Sequence, residues 1–449
     1  MCKLDARVPY RAFMRRSPLI FSVVVLLGAS CGTQALAADA TPASYSGDFL
    51  TRSTLTGDWG GLRDDLAAWG VTLDANLTQV EQGVVNGGKS TAWQYGGRTD
   101  FISNLDTQKL GLWPGGFATL EVEVNFGTGI NLNTGAIDPV NTNQIFPEPG
   151  GHNFNVPQLS FMQFVSPYVG AMAGKFDTMS SDENEFAHGK GDTQFMNLAF
   201  DINPVALVAA PYSPLGAGFI VLPTQDPDAA VLNAVVIQST AKASTAGFDH
   251  ISSNDLTFAG EGRVRTHLFD LTGHQLVGAE YSDKQFTSID QRLDFILQNR
   301  RLARTDGTWA VYYNFDQFLY EIDKHTGRGV GLFGRFGAAD GDPNLLHYFY
   351  SAGVGGKALA ASRPNDQFGL GYYYLSVASP TLQGPARTVA FLRNEWGFEA
   401  YYNFSLTPWW ILTPDIQVVA PTQKRQVSGG IVERIGTATV LGVRMRLVF

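Results

Sequence analysis

Charged residues recur at every second position in several short runs of this 449-residue chain. Arg98 and Asp100, Glu121 and Glu123, and Lys175 and Asp177 are each two apart, as are Glu261, Arg263 and Arg265; Arg335 and Glu399 extend the set. In an extended strand a spacing of two puts such groups on one face. Guanidinium and ammonium groups donate hydrogen bonds, and carboxylates accept them. A wall carrying both can hold a polar solute from several sides. The plainer alternative is that the charges pair with one another and stabilise a polar interior.

Other chemistry finds little support. The seven histidines, at 152, 188, 250, 267, 274, 325 and 347, form no HExxH or comparable ligand spacing, and no GxSxG elbow is present. Gly83-Val84-Val85-Asn86-Gly87-Gly88-Lys89-Ser90 matches GxxxxGK[ST] literally. That motif needs a helix after the lysine, and Thr91-Ala92-Trp93-Gln94-Tyr95-Gly96-Gly97 is not one; the segment reads as a glycine-rich connection between strands. Asp340-Gly341-Asp342-Pro343-Asn344 is too short for an EF-hand loop and suits a turn. The sequence therefore implies no catalytic residues, metal or cofactor.

The elements that would position the charges are strands. Ala118, Leu120, Val122, Val124 and Phe126 alternate with Glu121, Glu123 and Asn125. Phe258 and Val264 oppose Glu261, Arg263, Arg265 and His267; Trp396, Phe398 and Tyr402 oppose Glu395, Glu399, Tyr401 and Asn403. The last ten residues place Leu441, Val443, Met445, Leu447 and Phe449 on one face and Gly442, Arg444 and Arg446 on the other. About sixteen candidate strands follow, with cores near 71–81, 98–107, 116–126, 158–166, 168–177, 206–222, 230–239, 255–268, 274–286, 308–320, 328–337, 347–358, 366–378, 394–405, 409–419 and 438–449. The spacing suits the ~10-residue tilted strands of a transmembrane antiparallel β-barrel. The fold class is accordingly all-β. Charges facing lipid would cost several kcal/mol near the midplane, so the polar sets must face the lumen. Trp409-Trp410, Tyr372-Tyr373-Tyr374 and Tyr348-Phe349-Tyr350 are candidate interfacial girdles.

One convincing helix precedes the strands. Asp58 is placed to cap it; Leu62, Leu66 and Trp69 share a face, and Gly70 can end it. Arg63 and Asp58 read as local pairing in a brace at the periplasmic end. Two long connections stand out. The first, about 178–205, contains Asp182, Glu183, Glu185, His188, Lys190 and Asp192; the second, 129–157, is rich in Asn, Pro and Gly. A connection that long has a functional use or stays disordered; inside a wide barrel it can fold inward and narrow the pore.

The N-terminus sets the compartment. Lys3, Arg7, Arg11, Arg15 and Arg16 precede an apolar run from Leu19 to Ala29, and Ala35-Leu36-Ala37 is a small-x-small cleavage site. Residues 1–37 therefore read as a signal peptide, 38–70 as a periplasmic segment with the short helix, and 71–449 as the barrel. A competing cut before Cys31 lacks the leucine-like residue three positions earlier, where Gly28 stands. Cutting after Ala37 removes Cys2 and Cys31, the only cysteines, and leaves 27 basic against 40 acidic residues. A net charge near −13 repels nucleic acid and excludes it as a partner.

The string Leu55-Thr56-Gly57-Asp58-Trp59-Gly60-Gly61-Leu62-Arg63-Asp64-Asp65-Leu66 resembles the opening of the carbohydrate-selective porins of the OprB family. Glu399-Ala400-Tyr401-Tyr402-Asn403-Phe404, Thr407-Pro408-Trp409-Trp410 and Leu412-Thr413-Pro414-Asp415-Ile416-Gln417 are similar to the family's closing pattern. The resemblance spans residue 50 to the end. It implies a sixteen-stranded outer-membrane channel admitting small, glucose-like sugars. A sugar is uncharged and rich in hydroxyls, so the mixed charges at 98, 100, 121, 123, 175, 177, 261, 263, 265, 335 and 399 are the candidate constriction. Expected partners are small carbohydrates, outer-membrane lipid and lipopolysaccharide, and further copies of the chain in a trimer. The rivals are a porin for phosphate or carboxylates, which needs a cationic track, an outer-membrane barrel enzyme, and a secreted soluble sugar-binding β-protein.

Overall fold

Alternating polarity along the chain is realised as strands whose two faces meet different surroundings. The computed structural model describes residues 45–145, 154–180, 183–248, 255–292, 300–323, 327–378, 382–383 and 392–449. The expected signal peptide lies outside these residues, as do Asp182 and part of the 129–157 connection. Sixteen strands form the wall: β1 (Val71–Gly88), β2 (Ala92–Asp106), β3 (Gly116–Gly127), β4 (Phe154–Ser166), β5 (Val169–Lys175), β6 (Leu215–Val221), β7 (Ala230–Gln238), β8 (Leu256–Leu268), β9 (Leu271–Thr287), β10 (Arg304–Asp323), β11 (Arg328–Ala339), β12 (Leu346–Lys357), β13 (Gln367–Val377), β14 (Glu395–Thr407), β15 (Trp410–Ala420) and β16 (Gly436–Val448). Each pairs antiparallel with its sequence neighbours, and β16 pairs back onto β1 with Leu77 opposite Leu447 and Val80 opposite Arg444. Closure leaves no free edge and gives every spanning strand a partner on both sides. No helix among the described residues is long and apolar enough to cross a membrane.

The outer face is apolar. Phe101, Phe219, Leu370, Phe398 and Val443 are exposed there, while Glu121, Glu123, Glu261, Arg263, Glu399 and Arg444 are buried inside. This inverts the ordinary arrangement and suits a wall between lipid and water. Turns such as 167–168, 269–270 and 408–409 close the end that carries the first and last strand termini. The opposite end carries the long connections 128–153, 176–214 and 239–255. Short periplasmic turns and long outer loops orient the barrel.

Three expectations change in detail. The strand expected over 206–222 begins only at Leu215, because Pro211 and Pro214 supply no backbone donor to a ladder; residues 204–208 instead form a 3-10 turn. The aromatic triplets divide between faces. Tyr350 and Tyr374 stack outside at 5.4 Å, but Phe349 and Tyr373 are fully buried within. Trp409 is also buried, packed on Phe49 and donating from Nε1 to the Phe49 carbonyl at 2.8 Å. The helix, α1 (Leu62–Ala68), starts from Gly61 at φ 94°, and the Asp58 carboxylate accepts from Gly60 N at 3.0 Å rather than capping the helix. Gly70, at φ 90°, ends it as expected. Arg63 is the braced residue. It donates to Leu73 O at 2.7 Å, Asp74 Oδ1 at 3.0 Å and Phe449 O at 2.9 Å, with its guanidinium 4.0 Å from the Tyr45 ring centre.

Candidate functional site

The connection 176–214 folds into the barrel and is held on two sides by unlike interactions. Against β10–β14 the hold is aromatic. Phe195 lies 4.6 Å from Phe200, 5.4 Å from Phe333 and 4.8 Å from Tyr401, centre to centre, and Phe186 lies 4.8 Å from Phe318. These rings fit because the wall beneath them is glycine. A Cβ at Gly331 would come within 2.2 Å of the Phe186 ring, and one at Gly371 within 2.4 Å of the Phe200 ring. Inward glycines thus let the loop lie on the bare backbone of the wall.

Two residues expected at the constriction serve as fasteners for this loop. Both Glu399 carboxylate oxygens accept loop amides, Met196 N at 2.6 Å and Asn197 N at 2.9 Å. Arg335 donates to the Ala187 and Asp201 carbonyls. Arg444 holds Gly191 O at 2.6 Å. The described part of the 128–153 connection also turns inward: Glu395 accepts from Ile137 N and Asp138 N, and Thr142 N donates to Met196 O at 2.7 Å.

Against β2 and β3 the hold is ionic. Arg98 Nε is 2.7 Å from Asp100 Oδ1, and its guanidinium also reaches Glu123 at 3.6 Å and Asp192 of the loop. Lys190, also of the loop, meets Glu123 at 2.7 Å, Glu121 at 3.4 Å and Asp177. Tyr212 Oη donates to the other Glu123 oxygen at 2.6 Å. Burial lowers the Lys190 pKa, but Asp177, Glu121 and Glu123 outweigh it and hold the ammonium well above its ordinary value. The carboxylates of Asp100, Glu121 and Glu123 are close enough together to hold a cation, and Lys190 and Arg98 supply it. Five of the expected residues, Arg98, Asp100, Glu121, Glu123 and Asp177, are therefore brought together. Lys190, Asp192 and Tyr212 complete the group. Strand alternation could not reveal them, although Lys190 is the lone cation in an acidic loop.

A second group sits nearer the periplasmic mouth. Arg263 approaches Asp228 at 3.4 Å and Glu183 at 3.6 Å; Arg265 pairs with Asp226 and Asp228. His274 bridges Asp228 at 3.3 Å and Asp316 at 2.8 Å. The hydrogen bond from His274, with the charges of His274 and Arg263, overcomes burial and holds Asp228 below the usual carboxylate range. Two further expected residues stand apart. Lys175 Nζ donates to the backbone carbonyl of Thr245 at 2.6 Å, and Glu261 accepts from Tyr312 Oη at 3.2 Å.

Between the two groups lies a cavity of about 620 Å³, lined by Arg98, Asp100, Glu121, Lys190, Asp192, Arg263 and Arg446 together with Asn76, Asn104 and Gln158. A smaller one of about 220 Å³ lies across the loop against Gly356, Lys357 and Gln367. Glu185 lines both. Its burial, then the Asp316 charge, push its pKa up to about 7, against the opposing charges of Lys357, His274 and Arg263. The charged form is the disfavoured one in the folded pore and appears only as pH climbs through about 7. Cation conductance should therefore rise between about pH 6 and 8, and Glu185→Gln should make that step smaller in a planar-bilayer titration.

A channel interior carrying both signs of charge, narrowed by a loop fixed to its own wall, stands here on a barrel whose fold known proteins share. The sequence profile of the carbohydrate-selective porin family OprB matches residues 90–449. The chain belongs to the OprB family. No curated protein matches it significantly by sequence. The high-pH structure of Pseudomonas putida OprB is similar with a TM-score of 0.74 at 20% identity, covering 90% of this chain and all of that one. The low-pH structure of Pseudomonas putida OprB is similar at 0.54 and 17%, covering 89% of this chain and 99% of that one. At those identities the likeness concerns the barrel. The family match concerns the function: this OprB-family chain is a sugar-selective porin of the outer membrane.

Proposed function

We propose that this OprB-family porin passes glucose-like sugars along the cavity beside Arg98, Glu121, Lys190 and Arg263, with the 176–214 connection setting the bore. The observation that carries this reading is the mixture around one cavity. Donors (Arg98, Lys190, Arg263, Arg446, Asn76, Asn104) share the lining with acceptors (Asp100, Glu121, Asp192), so a ring of hydroxyls exchanges water for protein partners of both kinds. The same lining disfavours the phosphate or carboxylate reading, since Asp74, Asp100, Glu121, Glu183, Glu185, Asp192 and Asp201 interrupt any cationic track. Swelling of liposomes carrying the pure protein tests it. Glucose should enter well ahead of a disaccharide, an amino acid and phosphate. Rates that scale only with solute size would leave a general pore and defeat the reading.

We further infer export through a signal peptide cut after Ala37, a periplasmic segment up to Gly70, contact with lipopolysaccharide around the outer rim, and assembly as a homotrimer. Porins commonly assemble so, and the acid-rich chain with its basic leader supports the first of these.

A further inference from the structure

The N-terminal segment presents an apolar face that the barrel does not cover. On α1, Leu62, Leu66 and Trp69 share one side, and Leu62 and Trp69 are more than half exposed. The helix cannot turn that side inward. Its one buried residue, Arg63, is bonded to Leu73 O, Asp74 and Phe449 O, and Gly70 O accepts from Asp106 N at 2.8 Å. These bonds hold Trp69 beside the end of β2 and the 107–115 turn. There the exposed apolar residues continue: Leu110, Leu112 and Trp113 in the turn, Leu73 and Leu105 on the outer face. Trp113 stands edge-on to Phe161 of β4 at 6.5 Å, so it belongs to the outer wall. Asp64 and Asp65 are exposed off the apolar side of the helix.

We propose that α1 is an interfacial anchor whose partner is the phospholipid of the periplasmic leaflet. The apolar side of the helix lies beside the lipid-facing band of the barrel, and tryptophans mark the boundary, as amphipathic rings do at headgroup level. The segment thus acts at the rim of the channel.

Fluorophores attached at single cysteines test this. In a background with Cys2→Ser and Cys31→Ser, Leu62→Cys, Trp69→Cys and Asp64→Cys variants are labelled and reconstituted in phosphatidylethanolamine–phosphatidylglycerol vesicles containing nitroxide-labelled lipid. Unchanged single-channel conductance certifies folding, and labelling an outer-wall position, Val443→Cys, supplies a lipid-facing control. Probes at 62 and 69 should be quenched by lipid nitroxide several-fold more than the probe at 64, and less by iodide. The proposal is overturned if iodide reaches 62 and 69 as readily as 64. It is equally overturned if both quenchers fail there and the cysteines cross-link between copies, which would put a second chain on that face.

Discussion

Replacing Lys190 with methionine should free one side of the inserted loop and widen the pore. The substitution removes the cation from Asp177, Glu121 and Glu123, all buried, and leaves those carboxylates without it. Breaking a buried ion pair from one side costs ~3–5 kcal/mol, because the orphaned charge has lost water and gained nothing. The wall itself is held by sixteen ladders and should stand. The cost therefore falls on the seat of the loop, at a scale sufficient to shift it from closed to open. Single-channel conductance should rise, and the ratio of glucose to disaccharide swelling rates should fall toward that of a general pore. Adding Glu121→Gln removes a charge left without its cation and should recover part of the discrimination. An unchanged conductance and ratio for Lys190→Met would mean that the loop does not depend on this cluster.

Filling the glycine wall should release the other side. Gly371→Val adds a branched side chain where even a Cβ would meet three atoms of the Phe200 ring, the nearest at 2.4 Å. Overpacking a tight site costs ~1–3 kcal/mol, and here the movable party is the loop. Phe200 is in ring contact with Phe195, Phe333 and Tyr373, so its expulsion disturbs the whole aromatic seat. Lys190 is the only basic residue between Lys175 and Lys242. Trypsin should therefore cut the variant once in that interval, whereas the native chain resists. Adding Phe200→Ala vacates the volume and should restore resistance. If it does not, the clash is not what unseats the loop.

The barrel was legible because burial inside out leaves a period-two record that turns and loops do not obscure. Glu121 and Glu123 opposed to Leu120 and Val122 could stand in only one way across a membrane, and they do. Less legible was anything set by a meeting of distant segments. Arg335 and Glu399 read as lumen charges, which they are, but their partners are loop backbone atoms that no local pattern announces. Lys190 and Asp192 lack periodicity altogether, and their importance comes from what β2 and β3 offer them. Apolar spacing marked Leu62 and Trp69 as one face of a helix, but the neighbouring Arg63 decides that this face stays uncovered. The Tyr348-Phe349-Tyr350 and Tyr372-Tyr373-Tyr374 strings misled as whole girdles because alternation applies within a triplet, and the middle ring of each is obliged to point inside.

The two fastenings of the inserted loop make the width of the passage separable from the integrity of the cylinder. One side is a matter of how little volume a few wall positions carry, the other of how charge is balanced at one spot. A designer could thus tailor the aperture by trading a glycine for alanine or a carboxylate for its amide, with the staves of the cask left as they are.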